Sequence, residues 1–109
     1  MPSYVLVADH NPEICPSSNA KSRARMMEGL NPENAEKVAQ SLGLATVFGP
    51  VHLDPSHRTL CVFEAESIEA VNKWVIETGL FQWNTVEVSA LTPLEEMLST
   101  ILGAPIVFD

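Results

Sequence analysis

Apolar and polar positions change period several times along the chain, and each change predicts an element. Tyr4-Val5-Leu6-Val7-Ala8 is a short β-rich apolar run that stops at Asp9-His10-Asn11-Pro12, which predicts a first strand, buried on both faces, leading into a loop. The loop carries Cys15-Pro16-Ser17-Ser18. Ser17 or Ser18 then serves as N-cap for a helix from Asn19 to Glu28, closed by Gly29. Asn31-Pro32 restarts helical structure, and Ala35, Val38, Ala39 and Leu42 recur at helical spacing until Gly43.

Leu44 to Phe48 and Val51 to Leu53 predict a second strand interrupted by Gly49-Pro50. Proline cannot donate to a ladder, so a bulge or an edge position is expected there. Asp54-Pro55-Ser56-His57 has turn chemistry, and Arg58 to Ala65 returns as a third strand of a hairpin. Ser67 caps an amphipathic helix that places Ala70, Val71, Trp74 and Val75 on one face and runs to about Gly79. Thr85 to Ala90 is the fourth strand. Thr92 with Glu95 forms a capping box for a last helix over Leu94 to Leu102, stopped by Gly103 and Pro105. The apolar tail Ile106-Val107-Phe108 calls for a covering partner.

Strand, helix, hairpin, helix, strand is the split β-α-β order. Right-handed crossovers bring it to an α+β ferredoxin-like βαββαβ fold, with strand order four, one, three, two and helices on one face. The other face is apolar and needs a second subunit to cover it, so a homodimer is expected. With the hairpin Val51-His52-Leu53-Asp54-Pro55-Ser56-His57-Arg58-Thr59-Leu60 and Val62-Phe63-Glu64-Ala65, this element order resembles the dimeric α/β-barrel superfamily. That superfamily includes small antibiotic-type monooxygenases, muconolactone isomerases and many uncharacterised bacterial domains. The resemblance spans roughly Ser3 to Leu91; it implies the fold and the dimeric α/β barrel, and it carries no functional residue.

Composition narrows the field. The 109 residues, 46% of them hydrophobic, suffice for one core, so residues 1–109 are expected to form one domain, with 92–109 as a helix and tail packing on that domain or on a partner subunit. Fourteen acidic against six basic side chains give a formal charge of −8, which removes the long-range attraction that nucleic-acid binding needs. Neither a leader peptide nor a membrane-length apolar run is recognisable, so a cytoplasmic protein without a membrane partner is expected. Cys15 and Cys61 are expected as free thiols. Without a glycine-rich phosphate loop, a Rossmann fingerprint, a CxxC pair or a Ser/His/Asp order, no nucleotide cofactor and no triad chemistry is expected.

Strand direction then gathers the chemistry. The first and second strands run one way and the third and fourth the other, so His10, Cys15, His52, His57 and the segment Phe81-Gln82-Trp83-Asn84 share one edge. Imidazole and thiolate ligands suit zinc, copper, nickel or iron, which makes His10, Cys15, His52 and His57 candidate metal ligands. His10 and His52 are also candidate acid/base catalysts. The plainer reading leaves His57 a solvated turn residue and His10 a loop residue bonded to backbone. Cys15, ahead of a helix start, is either a reactive thiol or a part-buried spacer. Arg23 and Arg25, with Lys21, either attract an anionic small molecule or pair with Glu28 and Glu33 on a solvated face. Trp83 is a pocket wall or a core anchor, and Met26 and Met27 are core filler or pocket lining. Three functions compete: a small-molecule enzyme, a noncatalytic protein that binds or senses a transition metal or an anionic metabolite, and a purely structural dimer module.

Overall fold

The computed structural model describes residues 1–108. Strand β1 (Ser3–Asp9) leads through a short 3-10 turn at Pro12–Ile14 to α1 (Ala20–Gly29) and α2 (Pro32–Ser41). The hairpin β2 (Ala45–Leu53) and β3 (Arg58–Glu64) follows, then α3 (Ile68–Glu77), a 3-10 turn at Leu80–Gln82, β4 (Thr85–Ala90) and α4 (Leu94–Gly103). The sheet order is β2-β3-β1-β4 with every neighbouring pair antiparallel, as expected for a ferredoxin-like α+β fold. Because β1 and β2 are each antiparallel to β3, they point the same way. Their C-terminal ends therefore meet the starts of β3 and β4 at one edge of the sheet.

Alternation along the strands sorts the two faces. Leu6, Ala8, Cys61 and Phe63 point toward the helices and are fully buried, packing with Val71, Trp74, Ala35, Ala39 and Leu80. Phe63 meets Trp74 edge-to-face with ring centres 4.9 Å apart, worth about 1 kcal/mol beyond the area buried. The Trp74 indole N–H donates to the Ala35 carbonyl at 3.0 Å, which ties α3 to α2. The opposite face is open: Val5, Val7, Leu60 and Val62 are only half-buried, and Phe48 is exposed, so β1 is buried on one face and not on both. β2 keeps its pairing with β3 through register shifts between Thr46 and Phe48 and between Phe48 and Val51, the expected bulge at Gly49-Pro50.

Three caps differ from expectation, and one of them is Ser67, which stands at the N-cap of α3 without a capping side-chain hydrogen bond. Asn19, and not Ser17 or Ser18, caps α1, its side chain accepting from the Ser22 N–H at 3.0 Å. The serines belong instead to a turn in which the Cys15 carbonyl accepts the N–H groups of Ser18 and Asn19. The Thr92–Glu95 capping box does not form, because Pro93 is extended at ψ 143°, α4 starts at Leu94 and Thr92 falls outside the helix. α4 buries none of its residues. Leu94, Met97, Leu98, Ile101 and Leu102 are all exposed, and so are Ile106, Val107 and Phe108 beyond it. The resulting radius of gyration, 16.2 Å, exceeds the roughly 13 Å of a compact domain of this length.

Candidate metal centre and ligand cavity

His10 follows β1 directly, and its backbone N–H donates to the His57 carbonyl at 3.2 Å, joining the end of β1 to the hairpin turn. The ring has a defined tautomer. Asn84 Nδ2 donates to the Leu80 carbonyl at 3.1 Å, so Asn84 Oδ1 is the atom that lies 2.8 Å from His10 Nδ1 and must accept a proton from it. In the neutral ring a proton on Nδ1 leaves the lone pair on Nε2. That atom is buried and has no hydrogen-bond partner. An imidazole fixed through one nitrogen and bare at the other is the arrangement metal-binding histidines adopt.

His57 is placed alike on the hairpin side, since its Nδ1 is also buried and unpartnered. Its backbone is left-handed at φ +55°, where a non-glycine residue is uncommon, although histidine tolerates the region better than most. The two rings stand edge-to-face with centres 5.6 Å apart. Cys15 completes the group: it is buried, with Sγ 3.0 Å from the Ser17 hydroxyl. Burial pushes its thiol up, but the Ser17 hydroxyl and backbone N–H, His10 and His57 together outweigh it, and the value falls from 9.0 to about 6. Ser17 is the firm partner, because neither bare imidazole nitrogen makes a well-formed hydrogen bond. α1 begins only at Ala20, so Ser17 and the imidazoles, and not a helix terminus, account for the acidity expected of this thiol. The other thiol, Cys61, is free as well, and burial together with the charge of Glu36 raises it to about 12.

The ligand atoms of His10, Cys15 and His57 all lie within 4.8 Å of one another. A tetrahedral zinc site needs about 3.3–3.6 Å between such atoms, so a contraction of about 1 Å would close the three around an ion. His52 stands beside the cluster without entering it. Its ring stacks on His10 at 6.1 Å, but Nε2 lies 3.2 Å from Asp54 Oδ1 at the surface. From the sequence His52 stood with His10 as the firmest candidates; among the described residues the grouped ligand atoms are those of His10, Cys15 and His57.

His10 and Cys15 of the cluster line a cavity of about 800 Å³ between the sheet and the helices, while His57 stands outside its lining. Trp83 is buried and lines it, so its roles as core anchor and cavity wall coincide, and Trp74 lines it too. Met26, Met27 and Leu30 supply the α1 side. Arg23 reaches the rim, where Nε donates to the Pro16 carbonyl at 2.9 Å and Nη2 to the Ser17 carbonyl at 2.7 Å, bracing the Cys15 loop. Arg25 is exposed on α1 and is not part of the lining. A polar hollow of about 460 Å³ adjoins the far side of His10 and Trp83, with Arg58, Gln82 and Asn84 in its wall. Sequence reasoning missed Asn84 and Ser17 as functional neighbours, since only their contacts with His10 and Cys15 distinguish them.

The strand order and the one-sided helical layer define a ferredoxin-like α+β protein with a His/Cys/His cluster at one sheet edge. No protein-family model matches the sequence. No curated protein matches it either. Among solved structures, the chain is similar to a dimeric ferredoxin-like protein from an uncultured marine organism, at 16% identity and a TM-score of 0.46, over 84% of this chain and 94% of that one. Among the described residues, no helix is long and apolar enough to cross a membrane.

Proposed function

We propose that this chain is a small-molecule enzyme or binding protein built around one transition-metal ion, held by His10, Cys15 and His57 and open toward the 800 Å³ cavity. The observation that carries the reading is a pair of histidines, each with a buried ring nitrogen that has no partner, whose ligand atoms lie within 4.8 Å of each other and of the Cys15 thiol. Burying an unsatisfied polar atom costs about 1–3 kcal/mol, and a bound ion removes that cost at two atoms together. Two imidazoles and one thiolate suit zinc or copper best, with nickel and iron as weaker fits. Three protein ligands leave a fourth position for substrate or water, and His52, stacked beside His10 in the same lining, is the candidate acid/base group for a molecule bound there.

The test is metal analysis of tag-free protein beside His10→Ala and His57→Ala variants. The expected result is about one metal per chain in the parent and a loss of at least tenfold in affinity in each variant. Less than about 0.1 metal per chain in every preparation, with no uptake on titration, would overturn the metal site.

A second copy of the chain is the proposed partner. Val5, Val7, Leu60, Val62 and Phe48 form a contiguous apolar surface on the middle strands, and α4 with its tail offers a further apolar arm unused by its own domain. The two free, buried cysteines fit a reducing compartment such as the cytoplasm.

A further inference from the structure

The lining of the large cavity is chemically lopsided. Most of its polar groups, His10, Cys15, Ser17, His52 and Thr59, gather at the edge where the metal ligands lie, Thr59 being paired with His52 across the hairpin, and Thr46 alone lies toward the other end of β2. The rest of the wall is mainly apolar, with Met26, Met27, Leu30, Val51 and Trp74 as its larger members, while Trp83 stands beside the polar edge. Charge is lopsided in the same sense. Arg23 stands at the polar end, bonded to the carbonyls of Pro16 and Ser17, and no acidic side chain pairs with it among the described residues. Glu36, also in the lining, sits over the middle of the sheet, close enough for its charge to act on Cys61.

We propose that the cavity binds an apolar monoanion, such as a medium-chain carboxylate, with its head group at the His10–Cys15–His57 end beside Arg23 and its tail along the methionine and tryptophan walls. This assignment rests on the metal reading for its head-group contact. A divalent ion with one thiolate and two neutral imidazoles keeps a net positive charge, which a carboxylate neutralises and an alcohol does not. The flexible methionines conform to an unbranched chain, and a cavity of this size lies within the range that encloses small ligands. An amine head group meets Arg23 at one end. A second carboxylate along the chain meets Glu36, so only one acidic end is accommodated.

Both tryptophans of the chain line this cavity, so their fluorescence reports on its contents directly. The experiment titrates zinc-loaded and metal-free full-length protein with decanoate, decanol and decylamine while following tryptophan emission. A Met27→Glu variant is run in parallel, since Met27 is 61% exposed and tolerates the change without loss of the fold. In the loaded protein decanoate is expected to bind at least about tenfold more tightly than decanol or decylamine, and Met27→Glu to weaken it about tenfold with metal content unchanged. Equal affinity for the three probes, no binding, or decanoate binding indifferent to Met27→Glu would overturn the assignment, whether or not zinc binds. A preference for decanoate in a protein that takes up no metal would instead uphold the cavity assignment while the metal reading falls.

Discussion

His57 sits in a backbone conformation that glycine adopts freely and histidine adopts at a cost of about 1 kcal/mol. A turn selected for stability alone would carry glycine there. His57→Gly is therefore expected to leave the thermal midpoint unchanged or slightly raised while metal affinity drops at least tenfold; loss of both together would make His57 a folding residue. The contrast with His52 shows how far residue types can be read without coordinates. Histidine at both positions flanking a turn was visible from spacing, as was the shared edge with His10. Which of them turns a bare nitrogen inward was not visible, because that follows from a left-handed φ at one position and a contact with Asp54 at the other. Asn84 was placed on the shared edge, but its role was not visible for a similar reason: its amide acts through hydrogen bonds to Leu80 and His10 that a linear pattern does not contain.

At the scale of elements, the cavity depends on how closely α1 approaches the end of α3. A Cβ built on Gly29 would lie 2.0 Å from the Thr78 carbonyl oxygen, a backbone atom that cannot swing aside. Gly29→Ala is thus expected to destabilise the fold by about 2 kcal/mol or more in urea titration, by pushing α1 off α3. Gly103→Ala at the end of α4, where nothing lies within 4 Å, should change stability by less than about 0.5 kcal/mol. Equal effects at the two sites would mean that α1 is free to shift. Gly29 was legible as the end of a helix, but not as a point of close contact. Element order and type followed from period, whereas the Asn19 cap turned on which of several adjacent cap-forming residues the loop left free, and the absent Thr92 box on the extended Pro93.

At the scale of the molecule, the open sheet face and the α4 arm determine association. Light scattering at micromolar concentration is expected to show a dimer. Val62→Lys, at the centre of the open face and away from the cavity, is expected to yield a folded monomer that still takes up metal, because a desolvated ammonium in a close-packed apolar interface costs several kcal/mol. A monomeric parent protein would contradict the shared-face argument. Removal of residues 94–109 distinguishes the contribution of the arm from that of the sheet: a weakened dimer of unchanged metal content is expected, since α4 buries nothing against its own domain.

By itself the sequence determined what is encoded in period and local chemistry: four strands and their order, the bulge at Gly49-Pro50, and the sheet edge shared by three histidines and Cys15. These follow because hydrophobic alternation, proline and glycine act over a few residues, and chain connectivity then leaves few arrangements open. Only the tertiary structure decided that His10, Cys15 and His57 converge while His52 stands aside, that Arg23 braces a loop while Arg25 faces solvent, and that Trp83 is core and cavity wall together. Those outcomes depend on distances between residues far apart in the chain, on ring tautomers and on turn dihedrals. The residue pattern constrains such features only through the packing of the whole fold.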